Sequence, residues 1–105
     1  MKAFAQDQVR EAQGYAAAGG QALHLINTAI LLGMDVPPPF RGAKALAHLF
    51  DQDLDRLVAT AKRLGIRILL VHRPGELSQH VDLVGGPLRK AMKECQRETS
   101  ASSPT

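Results

Sequence analysis

The chain has 105 residues, 45% hydrophobic and 22% charged, with a net charge of +3. That length and balance suit one globular domain with a single core and exclude general disorder. The single cysteine excludes an internal disulfide and a cysteine-rich zinc site. The mild positive charge admits nucleic acid, anionic ligands or acidic proteins as partners without requiring any of them.

Residues 3–18 predict a helix rich in Ala, Gln, Glu and Arg. Its apolar stripe is thin (Ala5, Val9, Ala12, Ala16), and Gly19-Gly20 ends it. So small a stripe suits a peripheral helix or an oligomer interface. Asp7 and Glu11 interrupt the stretch where a signal peptide would need an apolar run. No segment approaches the roughly 18 apolar residues of a membrane span. A cytoplasmic protein is therefore expected, with Cys95 buried and reduced. Residues 21–33 read as helix to about Asn27 and then as a short strand over 28–32. Pro37-Pro38-Pro39 has no backbone donors and makes residues 34–42 a rigid loop.

Residues 51–64 predict the best-punctuated helix. Asp51 is the expected N-cap, Asp53 and Asp55 lie in the first turn, Lys62 and Arg63 in the last, and Gly65 follows. Leu54, Leu57, Val58, Ala61 and Leu64 form its apolar stripe. The aliphatic run 66–71 reads as a strand, and Arg73-Pro74-Gly75 as a turn. Gly85-Gly86-Pro87 opens a last helix with Leu88, Ala91, Met92 and Cys95 on its apolar face. Residues 1–98 form the expected globular domain, and 99–105 a disordered tail.

Two constellations carry possible chemistry. His48, His80 and Asp82 are candidate catalytic residues or metal ligands. Imidazoles titrate near neutral pH, and a carboxylate bonded to one fixes its tautomer. His80 and Asp82, two apart, share one side of an extended segment. His24 and His72 read as structural. The second constellation is a basic rim of Arg41, Arg73, Arg89 and Lys90 near the N-terminus of the last helix, a candidate anion site. Phosphate-loop, dinucleotide, nucleophile-elbow and His-Glu-x-x-His patterns are all absent, so no cofactor is expected and catalysis is left open.

Pro39-Phe40-Arg41-Gly42, Ala47-His48-Leu49, the helix ending Leu64-Gly65, His80-Val81-Asp82-Leu83 and the helix from Arg89 to Met92 together resemble a small bacterial and phage family, domain of unknown function 4031. The likeness runs from about Ala29 to Cys95. Members have a Pro-Phe pair near a first strand, a His-Leu pair, a helix closing in Leu-Gly, and His-Tyr-Asp-Leu before a last helix. Here Val81 replaces the tyrosine, 66–71 is more aliphatic, and residues before Ala29 are additional. The resemblance implies no activity. It singles out His48, His80 and Asp82 and implies a strand near Ile30.

The expected fold is a small α/β domain. Its short, parallel sheet would join strands 28–32 and 66–71 by a right-handed crossover through helix 51–64. An all-α chain is the alternative. The expected function is a small binding or regulatory module acting through a protein or nucleic-acid partner. The alternatives are a hydrolase-like or nucleotide-handling domain using His48, His80 and Asp82, and a structural oligomer subunit assembled through the first helix.

Overall fold

A computed structural model describes residues 1–26 and 46–101, with side chains to residue 97. Strand β1 (Lys2–Phe4) leads through helix α1 (Val9–Ala17) to strand β2 (Ala22–Ile26). Strand β3 (Leu46–Phe50), helix α2 (Leu54–Arg63), strand β4 (His80–Leu83) and helix α3 (Gly85–Ala101) complete the described elements. The four strands form one sheet in the order β1-β2-β3-β4. β1 and β2 are parallel, and the two remaining pairings are antiparallel.

The α/β expectation holds, and the all-α alternative is excluded. The sheet is mixed rather than parallel, and the crossover is β1-α1-β2, not one through residues 51–64. The segment 21–27, read as helix, is largely β2. Ala22, Leu23, His24 and Leu25 are all buried, so the alternation that marks a half-exposed strand is missing. Residues 66–71 form no ladder despite their strand-like composition; only His72 bridges to His80. The proposed strand 28–32, the proline loop 34–42 and Arg41 lie outside the described residues. So do residues 102–105, while α3 runs on to Ala101, past the expected start of the tail.

The sheet separates two apolar clusters. Leu23, Leu25, Ala47, Leu49, Val81 and Leu83 point to one face and pack under α2 and α3, against Leu57, Ala61, Leu88 and Cys95. On the other face, Ala12 and Ala16 of α1 close over Phe4, Ala22 and Phe50. Of the stripe that suggested an oligomer interface, Ala12 and Ala16 are buried within the chain, while Ala5 and Val9 are exposed. Among the described residues, no helix is long and apolar enough to cross a membrane.

Asp51, fully buried, ties these layers together. The N-cap expected of it belongs to Asp53, whose carboxylate accepts from the Arg56 N–H. Asp51 instead accepts from Arg56 Nε and Nη2, both at 2.7 Å, and from Gln21 Nε2 at 2.9 Å. Arg56 Nη2 also donates to Gly19 O at 2.9 Å, and Gln21 Nε2 to Thr60 Oγ1 at 2.8 Å. The turn after α1, the end of β3 and the first turns of α2 are joined at one carboxylate.

Burial pushes the Asp51 carboxyl up, but hydrogen bonds from Arg56, Gln21 and the Asp53 N–H outweigh it and hold the group below its ordinary 3.8. Its stabilising contribution is complete above that value and is lost as pH falls through the lower native one. Removing one partner of a buried pair costs about 3–5 kcal/mol. The Arg56 side chain is 41% exposed and rehydrates, so Asp51→Asn is expected to cost about 2 kcal/mol. Thermal melts check both points: the variant melts lower at pH 7, and the difference from wild type shrinks below pH 3.8.

Candidate metal centre

Alternation in β3 and β4 builds the site. Ala47, Leu49, Val81 and Leu83 enter the core, which turns His48, Phe50, His80 and Asp82 to the opposite face. Register then sets the neighbours: His48 stands across from Asp82, and Phe50 across from His80. His24 of β2 lies across from His48. Beyond β4, His72 and His80 exchange both backbone hydrogen bonds, at 2.8 and 3.1 Å, and their rings stack with centroids 5.1 Å apart. The turn between them is held from within, by Gln79 Oε1 accepting from the Gly75 N–H. It is also held from β3, by Gln79 Nε2 donating to Asp51 O.

Asp82 is the meeting point. His48 Nε2 and His80 Nε2 each lie 3.4 Å from Asp82 Oδ1, and His72 Nε2 lies 3.1 Å from Oδ2. The donor atoms of His48, His80 and Asp82 all fall within 4.8 Å of one another. A separation of 3.4 Å is long for an N–H···O bond. It is close to the edge of a tetrahedron around a zinc-type ion: bonds near 2.0–2.1 Å put neighbouring donors about 3.3 Å apart. The His48 and His80 ring centroids, 4.4 Å apart, are close enough to share an ion.

The protonation pattern suits ligation. His80 Nδ1 lies 2.6 Å from Ser78 O. A carbonyl only accepts, so Nδ1 carries the proton, and in the neutral ring the lone pair is on Nε2, the atom facing Asp82. Burial and then the neighbouring His80 pull His48 below its ordinary 6.5, against an opposing pull from Asp82. His48 is therefore mainly a neutral imidazole at pH 7. His24 is different: its Nε2–H donates to Gln6 O at 2.9 Å, and its Nδ1 is buried with no partner among the described residues. Its ring packs against that of His48, with centroids 6.0 Å apart.

The structure brings together His48, His80 and Asp82, and adds His72, which sequence reasoning set aside. A signal for it existed. His72 and His80 flank a segment of turn residues, and residues at the two ends of such a turn become cross-chain neighbours. The described members of the basic rim, Arg73, Arg89 and Lys90, do not come together in the same way. Arg73 takes a left-handed φ of 51° and lines an open cleft of about 710 Å³ with His48, Phe50 and His80. Arg89 and Lys90 ride on α3, which packs on the other face of the sheet. The Lys90 ammonium lies near Gly65, at the negative end of α2.

Comparison with protein-family models, with curated proteins and with solved structures finds no match to this chain.

Proton NMR titration of the histidines tests the electrostatics. His48 is expected to titrate below 6.5. Asp82→Asn lowers it further by removing the opposing charge, and His80→Gln raises it. Since native His48 resists protonation, its contribution to stability diminishes as pH falls below 6.5.

Proposed function

We propose that the chain is a small binding or regulatory domain whose ligand is a divalent transition-metal ion of the zinc class, held by His48, His80 and Asp82. One observation carries this reading. Two imidazole Nε2 atoms from adjacent strands each stand 3.4 Å from one carboxylate oxygen, a donor set and spacing that imidazole-preferring ions favour. The likeness to domain of unknown function 4031 supports the same three residues. The net charge of +3 suits an anionic protein or nucleic-acid partner for the metal-bound domain. Cys95, buried in the core, suits a cytoplasmic protein.

The hydrolase-like reading rests on the cleft beside His48 and His80. With three protein ligands, an ion keeps a fourth position for water and can deliver hydroxide near neutral pH. Arg73, on the cleft wall, would anchor an anionic substrate. A chain that binds the ion and hydrolyses no phosphate or carboxylate ester supports the binding reading instead.

Calorimetric titration of the metal-free chain with zinc chloride is the test. One ion per chain is expected, and His80→Ala should weaken binding by about tenfold or more, since even outer-shell changes cost 10–100-fold. At zinc concentrations one hundred times Kd, binding adds about 2.7 kcal/mol. For a domain of this size that raises Tm by about 10 °C or more. Absence of heat and of a Tm shift at millimolar zinc would overturn the reading.

A further inference from the structure

Residues 66–71 are an aliphatic, β-branched run that lies beside a sheet edge without joining it. The segment is tethered at both ends. The Ile66 N–H donates to Ala61 O at 3.1 Å, and His72 pairs with His80. Between the tethers it stands off from β4, leaving a recess of about 200 Å³ with Ile68, Leu70 and His72 on one side and Val81 and Asp82 on the other. Among the described residues, the backbone N–H and C=O of Leu70 have no backbone partner, and neither do those on the outer edge of Asp82. Two large apolar side chains are left in solvent, Ile68 at 91% and Leu70 at 65% exposure.

The existing bridge dictates how this gap would close. His72 and His80 form a hydrogen-bonded antiparallel pair. The next pair of that kind lies two residues further along each segment and is Leu70 with Asp82. Burial near the bridge agrees: Leu69 and Val71 already pack against the core, while Leu70, like Asp82, is exposed. His72 is near the ligand group without being part of it: its Nε2 is 3.1 Å from Asp82 Oδ2, whereas His48 and His80 face Oδ1, so His72 must shift to share one ion with them.

We infer that a bound zinc-class ion takes His72 as its fourth ligand and draws residues 66–71 onto the open edge of β4 as a fifth strand. The inference rests on the metal reading above and gives it a regulatory output. An ion that binds the closed form more tightly shifts the segment toward it by that difference in affinity. A fourth protein ligand completes the coordination shell, as in structural rather than catalytic sites. Closure brings Leu70 beside the cluster and ends the open β4 edge at Asp82, so metal binding changes the surface that a partner meets.

Residue-resolved amide exchange on the full-length chain, with and without zinc chloride, tests this. Zinc is expected to protect the Leu70 amide and leave those of Leu69 and Val71, which face away from β4, exchanging freely. General tightening of the loop would not produce that alternation. His72→Ala should bind zinc about tenfold more weakly or worse and show no protection at Leu70. Leu70→Pro, which removes the donor and no ligand, should melt like wild type without zinc yet bind zinc more weakly. Zinc binding with Leu70 unprotected, or Leu70→Pro with wild-type affinity, overturns the strand closure and leaves the metal reading standing. No zinc binding at all overturns both.

Discussion

The pairing register of β3 with β4 is the constraint on which the site depends. Side chains alternate along a strand, so a slip of β4 by one residue would carry His80 and Asp82 into the core and turn Val81 and Leu83 out to solvent. Burying an imidazole and a carboxylate without water costs several kcal/mol per group, and exposing the leucine and valine forfeits about 1.5–3 kcal/mol each. The hydrophobic core therefore fixes the position of the polar cluster. The packing of α2 and α3 on one face of the sheet sets the chemistry on the other.

Asp51 supports that register from one end of the sheet. It follows β3 directly, and its main-chain carbonyl accepts from Gln79, the residue just before β4. Its carboxylate holds Arg56 and Gln21. Strand end, helix start and the turn that carries His72 toward His80 are thus joined around one residue. Gln52 adds to the same anchor by donating to Glu76 O at 2.9 Å. The strain at Arg73, a side-chain-bearing residue at positive φ, costs of order 1 kcal/mol. A turn pinned at several points can sustain that.

Sequence recovered some parts of this structure and missed others for physical reasons. The helix over Leu54–Arg63 was legible because caps, charge order and stripe agree, although its cap shifted from Asp51 to Asp53. The last helix and the burial of Cys95 were legible in the same way. β1, three residues long, carries too little pattern to recognise. β2 is buried on both faces, which erases its alternation. Residues 66–71 have the composition of a strand, but a strand also needs a ladder partner, and composition does not say whether one is engaged. For the site, His80 and Asp82 were readable from their spacing of two. His48 was named as a candidate with no strand assigned to it, whereas it lies within β3. His72 was missed because its importance lies in a cross-strand pairing with His80, which the turn residues between them signal but its own neighbours in sequence do not.

The central claim is that His48, His80 and Asp82 hold one ion, whose shell His72 completes on closure. X-ray absorption at the zinc edge of the zinc-loaded protein tests it most directly. A four-coordinate shell of nitrogen and oxygen at about 2.0–2.1 Å, with outer scattering from three imidazole rings, is the predicted result. A six-coordinate, water-dominated shell with no imidazole scattering would contradict it.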